Sequence, residues 1–181
     1  MKNILVAQRY SQAIISGLDD KEIHSIFADV TRMSNSIKAE PELINMVNSY
    51  LFPMQKRMEI ALSMTKKLKN TELWENLFSI LIKKHRFNIV TEILHDLENK
   101  ILDKKNQIRV RLTIAHDLPE NVLNSISEKL KDLLGKDVIL DVKINPEILG
   151  GFVATTNSLL IDGSIKNNLI KLLKVKSKKK K

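Results

Sequence analysis

Apolar positions recur with helical spacing over the first hundred residues and then switch to strand-like alternation. Val6, Tyr10, Ala13, Ile14 and Gly17 share one face of a helix over residues 3–18, with Arg9, Ser11, Gln12 and Ser16 elsewhere. Small residues Ala7, Ala13 and Gly17 leave room for another helix to come close. Asp19-Asp20 opens a second helix with the stripe Ile23, Ile26, Phe27, Val30, Met33 and Ile37. Pro41 starts a short third helix, and Pro53 a fourth with Met54, Met58, Ala61, Leu62 and Leu68. The fifth, from Glu72 to about Lys84, is apolar over most of its circumference through Leu73, Trp74, Leu77, Phe78, Ile80, Leu81 and Ile82. Such a helix is either the centre of a bundle or has a second face that a partner covers. A sixth carries Phe87, Val90, Ile93, Leu94, Leu97 and Ile101.

At Gln107 the period becomes two. Ile108, Val110, Leu112 and Ile114 alternate with Arg109, Arg111 and Thr113, which predicts a strand with one wet face. A helix follows, with Pro119 near its first position and Gly135 as its stop. A second strand covers Val138 to Ile144. Third and fourth strands are expected near Phe152–Thr156 and Leu159–Asp162, and a last helix from Ser164 to about Lys174. The expected fold is α+β: a six-helix bundle over 1–105, a small α/β domain of about four short strands and two helices over 106–173, and a disordered lysine-rich tail over 174–181.

Turn chemistry is densest from Asn145 to Leu169. Gly150-Gly151 suggests a bend or a close backbone approach that a side chain would block. Gly150→Val is accordingly expected to disrupt the domain. Asn157-Ser158 sits between two strand-like runs, where Asn suits a left-handed hairpin residue. Asp162-Gly163-Ser164 closes the fourth strand and offers Ser164 as a helix N-cap.

Composition narrows the function classes. With 43% hydrophobic and 4% aromatic residues, the chain can build a mostly aliphatic core. It has no cysteine, which removes disulfides and thiolate metal sites. No apolar run reaches the roughly 20 residues of a membrane-spanning helix, and the N-terminus continues into amphipathic helix instead of resembling a signal peptide. A cytosolic protein is expected. The net charge of +9 invites a nucleic-acid reading. However, residues 1–105 carry 16 basic and 13 acidic side chains, residues 106–173 carry 8 of each, and the last eight hold six lysines without an acid. Much of the excess is therefore one solvated run. A basic nucleic-acid-binding module stays as the alternative, on Arg109 and Arg111 sharing a strand face.

No constellation for catalysis emerges. His24, His85, His95 and His116 fall in no metal-ligand spacing, there is no phosphate-binding glycine loop, and Ser164 lacks an elbow context. No catalytic, cofactor-binding or metal-binding residue is assigned.

Three motifs, in order and over nearly the whole chain, resemble the delta subunit of bacterial F-type ATP synthase, the relative of the mitochondrial oligomycin-sensitivity-conferring protein. VAQRYSQAI is similar to the family's A-x-x-Y-A-x-A-[LF] opening, and LIKKHRFNIVTEI to its L-x-E-N-x-R-L junction. DVKINPEILGGFVATTNSLLIDGSIKNNL is similar to V-D-P-x-L-I-G-G-x-V…I-D-G-S-V-x-x-x-L, with Pro146, Gly150, Gly151, Asp162, Gly163 and Ser164 in place. Departures are Asn145 for the usual Asp, Asn157-Ser158 for a frequent Gly-Asp, Asn167 and Asn168 where arginines are common, and His85 for a common glycine.

The resemblance implies a non-catalytic stator subunit of the peripheral stalk, with no cofactor, one copy per complex, on the cytoplasmic face of the bacterial inner membrane. It implies that a groove between the first and fifth helices holds the N-terminal helix of an alpha subunit. Val6, Ala7, Tyr10, Ala13, Ile14, Trp74, Leu77, Phe78 and Leu81 would supply its lining. The C-terminal domain would meet the b subunits. Held this way, the catalytic head stays still while the rotor turns, so that proton flow drives ATP synthesis. Neither nucleic acid nor ATP is expected as a ligand.

Overall fold

Helical periodicity in the first part of the chain becomes α1 (Lys2–Ser16), α2 (Asp20–Ala39), α3 (Glu42–Asn48), α4 (Met54–Ser63), α5 (Thr71–Lys83) and α6 (Val90–Lys104) in a computed structural model that describes residues 2–167 and 169. The contacts divide the chain into two units, the first running to Ile101 and the second starting at Leu102. Local chemistry sets the helix starts. Glu22 reaches back to accept the Asp19 amide at 3.0 Å, one half of a capping box. Pro41 and Pro53 stand at the N-cap positions of α3 and α4, where their missing N–H costs nothing. α4 is shorter than its stripe suggests. It ends at Ser63, and Leu68 reaches the core from the following turns.

α5 contributes a large share of the first unit's core. Trp74, Phe78, Leu81 and Ile82 are fully buried, among Ile26, Val30 and Met33 of α2 and Ile93, Leu94 and Leu97 of α6. Trp74 and Phe78 lie 6.4 Å apart by ring centroids, and Phe78 meets Phe87 edge-on at 5.1 Å, a favoured aromatic arrangement. The broad apolar surface of this helix is therefore spent mostly inside the unit.

A buried carboxylate fixes where α5 begins. Asp29, on α2, accepts the backbone N–H groups of Lys69 and Asn70, each at 2.9 Å, the Asn70 amide at 2.7 Å and the Trp74 indole at 3.3 Å. An anion placed there satisfies orphan donors before the helix and faces the positive end of its dipole.

The end of α5 uses a left-handed residue. His85 has φ 55°; its N–H bonds Ile82 O at 3.1 Å, and Arg86 N–H reaches Leu81 O at 2.8 Å. This is the Schellman pattern, whose left-handed position usually goes to glycine. A 3₁₀ turn, Phe87–Ile89, then leads into α6; period counting passes over it because the turn is too short to show a stripe. His85→Gly should leave the protein about 1 kcal/mol more stable than His85→Ala, because alanine keeps the left-handed strain. Chemical denaturation of the two variants measures the difference.

The second unit is built on a four-stranded sheet of order β2-β1-β3-β4. β1 (Gln107–Ile114) and β2 (Asp137–Ile144) pair in parallel, connected through α7 (Glu120–Leu134). β3 (Phe152–Thr155) runs antiparallel to β1, and β4 (Leu160–Asp162) antiparallel to β3. Val110, Leu112 and Ile114 are buried with Leu130 of α7 and Ala154 of β3, while Arg109 and Arg111 face out. Pro119 is the N-cap of α7, one residue before its expected place, and Gly135 ends the helix at φ 66°. Residues 165–167 are helical, and the rest of the expected last helix and tail lies outside the described residues apart from Leu169.

Candidate docking surfaces

α1 is tied down on one side and half open on the other. Ser11, wholly buried, donates to the Asp96 carboxylate of α6 and accepts from Lys100 Nζ at 2.9 Å. Lys100 also pairs with Asp96 at 2.9 Å and donates to Gln8 O at 3.1 Å. Ala7 and Ile15 are buried on the same face as Ser11, the i, i+4, i+8 stripe of one helix side. Val6, Tyr10 and Ile14 are only half-buried against the core, and Ala13 is exposed. Both α1 and α5 pack on the 3₁₀ turn.

The residues singled out on α5 are placed differently. Trp74, Phe78 and Leu81 have no accessible surface and Leu77 almost none, whereas Ile80 is 47% exposed and Leu73 half-buried. An apolar count along α5 does not separate its buried face from its rim, because both are apolar. Asp29 and Ser11 carry a readable signal that the apolar stripes obscure. Each polar residue falls on a stripe of apolar neighbours, Ile26-Asp29-Met33 and Ala7-Ser11-Ile15.

In the second unit, five of the six signature residues, Gly150, Gly151, Asp162, Gly163 and Ser164, come together as a backbone clasp, and Pro146 lies in a separate turn before it. Gly163 N–H donates to Phe152 O and Ile165 N–H to Gly150 O, both at 3.0 Å, joining the start of β3 to the end of β4. Asp162 Oδ1 accepts the Ser164 amide at 2.9 Å, and buried Ser164 accepts the Asn167 amide at 3.2 Å as an N-cap does. Pro146 occupies a turn in which Asn145 Oδ1 takes the Glu147 amide at 3.1 Å and Asn145 O the Ile148 amide at 3.1 Å. An aspartate would accept in the same way.

The two glycines of the pair are unequal. Gly151 has φ 81°, and a Cβ on it would stand 2.4 Å from the Gly163 carbonyl oxygen. A Cβ on Gly150 would meet the tip of the Ile165 side chain at 2.6 Å, and Ile165 is half exposed and can swing away. The strict requirement is Gly151. Gly150→Ala should cost less than about 1 kcal/mol, within the usual range for a contact that a neighbour relieves, by thermal unfolding followed by circular dichroism. The Asn157-Ser158 turn also differs from expectation. No left-handed residue is used there; Thr156 Oγ1 accepts the Ser158 and Leu159 amides at 3.3 and 2.9 Å, so a side chain does the work of an unusual φ.

What these surfaces offer is apolar side chains left half-open on α1 and a hydrogen-bonded backbone clasp in the second unit. Residues 6–175 match the model of the ATP synthase delta (OSCP) subunit family, and the chain belongs to that family. Among similar proteins, the ATP synthase subunit delta of Desulfotalea psychrophila is 28% identical over 93% of this chain and 94% of its own length. That of Carboxydothermus hydrogenoformans is 29% identical over 95% and 97%. Among solved structures, a chain of the Toxoplasma gondii mitochondrial ATP synthase hexamer shares the fold, with TM-score 0.72, 16% identity, and coverage of 93% of this chain and 95% of that one. The protein is a structural, non-catalytic subunit of the F-type ATP synthase peripheral stalk. It is associated with a membrane complex. No helix among the described residues is long and apolar enough to cross a membrane.

Proposed function

We propose that the first unit acts as the family's six-helix bundle, holding the N-terminal helix of an alpha subunit, and that the second unit meets the b subunits. The protein thereby joins the catalytic head to the stalk on the cytoplasmic face of the bacterial inner membrane, in one copy per complex. The observation that carries the reading is the half-open flank of α1. Val6, Tyr10 and Ile14 rest on the core without being covered by it, and Ala13 beside them leaves space for a second backbone. An amphipathic helix laid on this flank would bury those side chains with Leu73 and Ile80, over Leu77 as floor. Ala7, Trp74, Phe78 and Leu81 would support that surface from beneath. A nucleic-acid-binding role has less behind it, since the exposed Arg111 lies 4.0 Å from Asp141 on the neighbouring strand.

Ala13→Lys tests the groove, because Ala13 is exposed and its replacement leaves the core intact. Affinity for an alpha-subunit N-terminal peptide, measured calorimetrically, should fall at least tenfold, with the unfolding temperature within about 2 °C of the parent. Unchanged affinity would remove α1 from the site. Calorimetry suits this better than tryptophan emission, since Trp74 is enclosed and bonded to Asp29. Binding should also hold up in high salt, unlike phosphate-backbone binding, which falls steeply.

A further inference from the structure

Among the described residues, the most exposed large apolar side chain of the first unit is in the connection between α3 and α4. Leu51 is 92% exposed and Tyr50 75%, and Phe52 and Met54 are exposed beside them in sequence. A contiguous run of this kind costs solubility, and on a folded protein it marks a contact surface. The run is also held in place. The Tyr50 ring has the Arg57 guanidinium over it, 5.3 Å from its centroid, and the His85 ring tilted at 5.7 Å. Arg57 is itself buried and donates to the Val47 carbonyl. The Leu51 amide is bound by the Ser49 hydroxyl at 3.2 Å, and Pro53 starts α4 directly after the loop. An apolar loop fixed in this way loses little freedom on binding.

The Tyr50–His85 contact brings a second property to the same place. His85 sits in the exposed run Lys83-Lys84-His85-Arg86 at the end of α5. Lys83, Lys84 and Arg86 have no carboxylate partner among the described residues. They therefore put three exposed positive charges in the same short run as His85, which touches Tyr50.

We infer that the Tyr50-Leu51-Phe52 loop with Lys83, Lys84 and Arg86 is a second docking surface of the first unit, and that its occupant is an acidic amphipathic segment of a neighbouring subunit. The apolar loop takes that segment's apolar stripe, and the three cations take its flanking carboxylates. Charge complementarity selects an acidic segment over a neutral one. Three cations and one short loop give weaker support for a lipid surface, where polybasic recognition draws on about four to eight basic residues. This inference rests on the protein's place in a multisubunit complex and is independent of the α1 flank.

The test uses the full-length chain rebinding to purified ATP synthase from which this subunit has been removed. Leu51→Asp and the double variant Lys83→Glu, Lys84→Glu should each weaken rebinding at least tenfold. Rebinding of the parent chain should be salt-sensitive, and that of the double variant much less so. If the parent fails to rebind at all, the stalk reading fails. If the parent rebinds and both variants match it, the second surface is overturned. Since the chain has no cysteine, Leu51→Cys carrying a photoactivatable benzophenone identifies the occupant in the rebound complex. A cross-link to an apolar segment rich in Asp and Glu supports the inference. A cross-link to lipid, to a second copy of this chain or to a basic segment overturns it.

Discussion

Gly151→Ala is expected to unfold the second unit's clasp and to cost on the order of 3 kcal/mol. A non-glycine residue in the left-handed region costs about 1–2 kcal/mol by itself, and Gly151 has φ 81°. The new methyl would also stand 2.4 Å from the Gly163 oxygen, a backbone atom, with Ser164 Cα at 3.1 Å. Relieving that overlap means opening the Gly163–Phe152 and Ile165–Gly150 hydrogen bonds, and forced overpacking costs typically 1–3 kcal/mol. The two costs together are a large part of what a small domain has to lose. The units can be watched separately, because the only tryptophan, Trp74, lies in the first. Far-ultraviolet circular dichroism should show an early loss of structure in Gly151→Ala while the Trp74 emission transition stays where it is in the parent. A parent-like dichroism melt would show that the clasp tolerates a side chain.

Asp29→Ala should move the opposite signal. It leaves the Lys69 and Asn70 N–H groups and the Trp74 indole without their acceptor, in a place where the carboxylate has no accessible surface. Each buried donor left unmet costs about 1–3 kcal/mol, so a total of about 3–5 kcal/mol is expected. Asp29→Asn, which keeps one acceptor oxygen, should cost roughly half of that. Denaturant unfolding followed by Trp74 emission measures both. A loss under 1 kcal/mol for the alanine variant would mean that water replaces the carboxylate.

The same group predicts a pH dependence. Burial pushes the Asp29 carboxyl up, but the hydrogen bonds from Lys69, Asn70 and Trp74 outweigh it and hold the group below its ordinary 3.8. Folded below unfolded means that the charged form stabilises the native state. That stability is fully present above the ordinary carboxylate range and is lost as pH falls through the lower, folded value. Trp74-monitored stability of the parent should therefore fall more steeply below about pH 4 than that of Asp29→Asn.

Particular residues show how far sequence reading reaches. Ile108 to Ile114 specifies a strand with one wet face because alternation and the pleat share a period of two. Gly135 and Asp162-Gly163-Ser164 mark a stop and a start because each acts on its own backbone within a few residues. Such features are local, and the sequence by itself determined them, together with the α+β class and the family. The tertiary structure decided which side of α5 is core. Trp74 and Ile80 are both apolar, and only the packing of the other helices around α5 encloses the first and leaves the second in solvent. It also decided that Gly151, more than Gly150, is indispensable, since the atom in its way belongs to Gly163, twelve residues further along. Asp29 and the amides at Lys69 and Asn70 lie about forty residues apart and meet only once α2 packs beside the start of α5. Local periodicity records how each element must fold, and long-range packing alone settles which of its surfaces remain free to hold a partner.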